Sequence, residues 1–174
     1  LVSEKNEEGN IRTDNSQMSI GADIVPHRAL LLNATFNWTT AEQTGGGSTA
    51  AALGTTKRRS ENSTANVTYN PLSSLYLFAS VNRTEETGKE TRTFWYLSGS
   101  WTFQQTGGSL ELRFNYSEDD MAETDTHTRV YGPYARWRVN SKTYIEVSYF
   151  ISMIETSSER TDTETLNTGL RWYF

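Results

Sequence analysis

The sequence predicts an all-β fold: an antiparallel, up-and-down sheet of about nine strands rolled into a transmembrane β-barrel. Three observations predict it. Apolar and polar residues alternate with period two in segment after segment of about ten residues. The connections between these segments alternate short and long. The composition is polar overall, yet rich in aromatics and nearly free of proline.

The segments follow in chain order. Met18, Ile20, Ala22 and Ile24 alternate with Ser19, Gly21 and Asp23; Leu30, Leu32, Ala34, Phe36 and Trp38 alternate with Leu31, Asn33, Thr35 and Asn37. Ala65, Val67 and Tyr69 form a third set and Leu75, Leu77, Ala79 and Val81 a fourth. Trp95, Leu97, Gly99, Trp101 and Phe103 are the fifth, and Leu110, Leu112, Phe114 and Tyr116 the sixth, set against Glu111, Arg113 and Asn115. Tyr131, Pro133, Ala135, Trp137 and Val139 oppose Gly132, Tyr134, Arg136 and Arg138. Ile145, Val147, Tyr149, Ile151 and Met153 oppose Glu146 and Ser148, and Leu166, Thr168, Leu170, Trp172 and Phe174 oppose Asn167, Gly169, Arg171 and Tyr173. No i, i+3, i+4, i+7 stripe of a helix is sustained anywhere.

Tight turns are expected at Pro26-His27-Arg28, Asn70 to Ser74, Thr106-Gly107 and Ser141-Lys142-Thr143. Longer polar loops are expected at Gly45 to Lys57, Glu85 to Glu90, Glu118 to Asp125 and Ser157 to Glu164. Short turns on one rim and long loops on the other characterise barrels that cross an outer membrane, with the short side towards the periplasm. A soluble β-sandwich also alternates, but it has no reason to alternate its loop lengths.

Composition excludes several classes. Only 35% of the 174 residues are hydrophobic and the mean hydropathy is -0.65. No run approaches the roughly 18 apolar residues of a membrane helix. A barrel escapes that test, because half of each strand faces away from lipid. The absence of cysteine excludes disulfides and thiolate metal sites. The net charge of -5, with acids and bases interspersed, offers no basic face to nucleic acid.

The chain ends Asn167-Thr168-Gly169-Leu170-Arg171-Trp172-Tyr173-Phe174. This resembles the C-terminal β-signal of bacterial outer-membrane barrel proteins: a polar residue, a glycine and two hydrophobic positions ending on an aromatic. Asn167, Gly169, Trp172 and Phe174 fall on those positions. The resemblance implies location in the outer membrane of a Gram-negative-type bacterium. It also implies insertion by the barrel-assembly machinery, with lipid and lipopolysaccharide as surroundings.

An odd strand count matters in such a barrel. With Phe174 periplasmic, nine strands put the polar stretch Leu1 to Gln17 outside the cell, as an extracellular loop or N-terminal segment ahead of barrel strands 18–174. The chain then reads as the C-terminal part of a larger barrel, completed by upstream strands or other subunits. The alternative is a small closed barrel of eight to ten strands.

The lumen parity collects Glu111, Arg113, Arg136, Arg138, Glu146 and Arg171, and the hairpin around Ser141 and Lys142 allows Arg138 to lie opposite Glu146. In a narrow barrel such charges are a packed polar core; in a wide one they line water and bias ion selectivity. No catalytic set is found: His27 and His127 sit in connections without a recognisable base or nucleophile, and serines lack a paired histidine. The acidic run Glu118 to Asp125 reads as a solvated loop rather than a Ca²⁺ or divalent-bridge site, and the Asn-x-Thr matches at Asn33, Asn37, Asn62, Asn66 and Asn82 as chance. No metal or cofactor is expected. The function expected is a porin-like pore or transport component; the alternative is a closed barrel with an adhesive or structural role.

Overall fold

A computed structural model of the chain describes residues 2–8, 11–45, 55–105 and 108–173. Ten strands make a single sheet in strict chain order: β1 (Val2–Glu8), β2 (Ile11–His27), β3 (Leu30–Gly45), β4 (Thr55–Leu72), β5 (Leu75–Glu86), β6 (Arg92–Gln105), β7 (Gly108–Met121), β8 (Thr126–Arg138), β9 (Thr143–Thr156) and β10 (Arg160–Trp172). Every pairing is antiparallel and joins sequence neighbours. There is no α-helix among the described residues; one 3-10 turn, Ala122–Thr124, links β7 to β8. The sheet is open, with β1 and β10 as its edges.

All nine expected strands are present, and the alternation explains why. β-branched and aromatic side chains suit a pleated surface, and period two assigns each residue a face. The three prolines mark irregularities. Pro26 and Pro71 lie where register shifts at the ends of β2 and β4, and the β8–β9 ladder skips Gly132 and Pro133. Proline has no N–H to give a ladder, so it is accommodated where pairing lapses.

Two expectations need correction. The segment 1–17 is not strandless: β1 pairs with β2 from Val2↔Gln17 to Glu8↔Ile11. Its polar residues carry no alternation, yet backbone pairing does not require any. Of the expected long loops, Glu85 to Glu90 is a connection from residue 87 on and most of Gly45 to Lys57 lies outside the described residues, but the other two are partly strand. Glu118, Asp119 and Asp120 belong to β7, and Asp162 and Glu164 to β10, leaving 87–91, 122–125 and 157–159 as described connections on that side. The asymmetry between rims lies in strands that run on past the apolar residues. At the opposite rim the connections at 28–29 and 73–74 are two residues long, and their carbonyls are taken up by the neighbouring strand: Asn70 N donates to Ala29 O (2.7 Å), and Thr102 N to Ser74 O (2.9 Å).

A hydrophobic core is missing among the described residues, where only Thr40, at 9% exposure, is buried. On β4, β6 and the first half of β9 the apolar side chains are the more exposed set. Ala65, Val67 and Tyr69 are exposed while Thr64, Asn66 and Thr68 are half-buried; Ile145 and Val147 are exposed while Glu146 and Ser148 are half-buried.

Candidate functional site

The apolar face carries a band with oblique edges. One hydrogen-bonded row runs Ile24, Leu32, Val67, Ala79, Leu97, Tyr116, Tyr131 and Ile151, apolar or aromatic on eight strands, and ends at Glu164 on β10. The next row towards the long-loop rim runs Ala22, Ala34, Ala65, Val81 and Trp95, then turns polar at Glu118, Arg129 and, past Met153, Asp162. On β3 the first polar residue beyond the band is Thr40; on β10 it is Glu164, whose row returns to Leu32 of β3. Seven strand-to-strand steps therefore move the edge eight residues, from Thr40 to Leu32, whereas at Glu155 of β9 six steps have moved it four residues, to the row of Phe36. At roughly 3.3 Å per residue and 4.8 Å between strands, the edge is inclined by about 25–38°.

The band is nine residues deep on β3 (Leu30 to Trp38), β6 (Trp95 to Phe103) and β9 (Ile145 to Met153). All five tryptophans of the chain lie on this face, each at or one position inside an edge. Trp38 and Trp95 mark the long-loop edge; Trp101, Trp137 and Trp172 mark the short-turn edge. Beyond the long-loop edge the same face becomes ionic: Arg59 pairs with Glu61, Arg83 with Glu85 (2.6 Å), and Arg160 with Asp162 (3.1 Å).

The polar face has two chemistries. On β2 to β5 it is an amide and hydroxyl ladder. Asn33 Nδ2 donates to Asp23 Oδ1 (2.6 Å) and Asn66 Nδ2 to Asn33 Oδ1 (2.9 Å). Asn62 Nδ2 donates to Thr84 Oγ1 (3.0 Å), and Asn82 Nδ2 to Thr64 Oγ1 (2.9 Å). The asparagines of four Asn-x-Thr matches are thus tied to one another across strands.

On β7 to β10, near the short-turn rim, the polar face gathers all six predicted charges. Arg113 contacts Glu111 through Nε (2.7 Å), and Glu146 lies between Arg136 (3.3 Å) and Arg171 (3.5 Å). Arg136 Nε meets Glu146 as an ion pair without hydrogen-bond geometry, and that buried nitrogen has no hydrogen-bond partner. The expected Arg138–Glu146 opposition is corrected: the register pairs Arg136 with Glu146 and Arg138 with Tyr144. The hairpin is centred on Ser141, with Asn140-Ser141-Lys142 as its loop, rather than on Lys142 as the expected Ser141-Lys142-Thr143 turn requires, and moving the centre by one residue changes every partner by two. Tyr144 was not singled out from sequence, yet its ring lies under Arg136 (4.5 Å) and Arg138 (5.9 Å). Only the register reveals this. A Cβ on Gly108 would run into the Arg138 carbonyl oxygen, so glycine there permits the close approach of β7 to the end of β8.

Other candidates separate. Glu118 and Asp120 occupy the face opposite Asp119, which binds Arg92 through both oxygens (2.9 and 2.5 Å); the acidic run does not converge. His127 is not isolated, since its Nε2 stands 2.9 Å from Glu118 Oε1, with Arg129 3.5 Å from the same oxygen. His27 Nδ1 accepts from Ala29 N (3.2 Å) inside its turn.

Of the C-terminal signature, Asn167 and Gly169 lie on the polar face opposite Ser148 and Glu146, and Trp172 lies on the apolar face, 68% exposed. Phe174 lies outside the described residues. A Cβ on Gly169 would meet only Glu146 Cβ, at 4.0 Å, so packing does not demand glycine there. No known protein family matches this chain, and no curated protein is similar to it.

Proposed function

We propose that this chain forms part of the wall of a β-barrel in the outer membrane of a Gram-negative-type bacterium, its apolar face on lipid and its polar face on a water-filled lumen that passes solutes. The observation that carries this reading is the oblique band. A flat bilayer cutting tilted strands leaves polar boundaries inclined to the hydrogen-bonded rows by the tilt, and membrane barrels tilt their strands by about 35–45°. The inclination of about 25–38° reaches into that range. The depth of nine residues on β3, β6 and β9 meets the roughly 9–11 that a tilted strand needs to span hydrocarbon. Tryptophans at both edges match the interfacial girdles of such barrels.

The edges bear on closure. β1 flanks β2 only beyond the band, so nine strands cross it, and β2 and β10 both run from the long-loop rim to the short-turn rim. Antiparallel closure therefore requires an odd number of further crossing strands. Copies of this chain set edge to edge would bring β10 beside β2 in parallel and do not supply them. Open edges are not tolerated in hydrocarbon.

A cysteine-free chain suits single-cysteine labelling. With the full-length protein in liposomes, cysteine at Ala65 should be shielded from water-soluble thiol reagent, whereas cysteine at Asp162, in the same hydrogen-bonded row, should react. Equal reactivity at both would overturn the membrane reading.

A further inference from the structure

The turn-side strip of the polar face is cationic on a chain that is acidic overall, and its carboxylates are already used. Glu111 is engaged by Arg113, and Glu146 by Arg136 and Arg171. Arg138 has no carboxylate among its described contacts. Its Nε reaches the Asn140 carbonyl oxygen at 3.4 Å and its guanidinium lies over Tyr144. One tyrosine ring thus has two guanidinium groups within about 6 Å of its centroid, those of Arg136 and Arg138. A ring favours a cation over its face, but two like charges on one ring repel unless an anion joins them. Arginine presents a planar fork of donors suited to the paired oxygens of carboxylate and phosphate.

Beside the strip, Gly132 and Ser148 leave a hollow of about 510 Å³ on the polar face, reached by Arg113, Asn115, Tyr134 and Asn167. The strip therefore carries more cations than carboxylates, with Arg138 outside its ion pairs, and the hollow beside it, reached by Arg113, has room for a small solute.

We propose that Arg136 and Arg138, seated on Tyr144, form an oxyanion-binding step at the short-turn mouth of the lumen, which takes small carboxylate- or phosphate-bearing solutes. This rests on the barrel reading above. Arg113 and Arg171 add to the local positive potential, which selects anions in a water-filled constriction. The step acts at close range, because salt screens charges beyond about 8 Å at physiological ionic strength.

The purified full-length protein is tested in planar bilayers across a KCl gradient, after heat-modifiability has shown that it folds. The expected result is a zero-current potential of the sign for chloride preference. Inorganic phosphate and acetate, added separately on the short-turn side, should each lower the chloride current by about twofold or more, and the ranking of the two identifies the favoured oxyanion. Arg138→Gln should abolish that inhibition and Arg138→Glu should move the potential towards potassium, whereas Arg129→Gln, at the other end of β8, should change neither. Conductance with potassium preference, or insensitivity to both anions, overturns the oxyanion step and leaves the barrel reading intact. A folded but silent barrel overturns the open lumen and the step together. Should Arg138→Glu fail to fold, the Arg138→Gln result alone decides.

Discussion

On β6, Trp95, Leu97 and Trp101 stand exposed while Tyr96, Ser98 and Ser100 between them are half-covered by neighbours. The same inversion recurs on β4 and β9, so the two faces of one backbone follow opposite rules. The apolar face is uniform from β2 to β10, as expected of residues that share one surrounding. The polar face changes from an amide ladder on β2 to β5 to arginine, glutamate and tyrosine on β7 to β10, because there each side chain answers to its cross-strand partner. A common solvent dictates one face, and pairwise contact composes the other.

The largest expected effect breaks that contrast directly. Leu112→Arg places a charge in the middle of the apolar band and should cost about 2–4 kcal/mol in a bilayer. Asn115→Arg, on the polar face of the same strand, should cost far less. Refolding into liposomes, followed by urea titration, measures both, and equal tolerance would refute the assignment of faces.

Next comes the amide ladder. Asn82→Leu removes the donor to Thr64 and leaves Asn62 short of a partner, at a cost of about 1–3 kcal/mol. Ser98→Leu, also on the polar face but outside the described network, should be milder. If the two destabilise equally, the ladder is incidental to stability.

The C-terminal strand sharpens the comparison by separating folding from delivery. Since a Cβ at Gly169 meets only ordinary contact, Gly169→Ala should refold in detergent within about 0.5 kcal/mol of the parent. Replacing Gly169 and Trp172 together, or deleting Phe174, should leave the protein unassembled in the periplasm of cells, as the β-signal resemblance implies. Normal heat-modifiable folding of the deletion variant in cells would make the ending a coincidence.

The smallest effect is expected beyond the band. In the 87–91 connection Lys89 Nζ lies 2.5 Å from Glu86, whose hydrogen bond and charge raise the lysine pKa above its ordinary value. A raised pKa means that the pair's contribution is complete below the ordinary lysine value and disappears only as pH rises through the higher folded value. Both side chains are exposed and the pair is screened by solvent, so even with that contribution complete at pH 7 Lys89→Ala should leave urea stability nearly unchanged there. A measurable loss would show that this connection bears on the sheet more than its exposure suggests.

Much of this architecture was legible in the residues. Period-two runs such as Leu30 to Trp38 announce a strand and its two faces together, because side-chain direction follows from the pleat alone. The polar hairpin of β1 with the start of β2 was illegible, since without alternation pairing leaves no trace in composition. The continuation of β7 through Glu118 to Met121 was hidden likewise, because an acidic run resembles a loop wherever its strand has left the apolar band. The six late charges were found from parity, but their partners were not: whether the turn is centred on Ser141 or on Lys142 decides whether Arg136 or Arg138 meets Glu146.

By itself, then, the sequence determined an all-β chain, the face of each residue within its strands, and the cationic character of one end of the polar face. These follow from backbone periodicity, which is local. Only the tertiary structure decided the register, and with it the inclination of the band and the seating of Arg136 and Arg138 on Tyr144. Those depend on how far each strand slides past its neighbour, a quantity summed over turns and bulges that no single segment encodes.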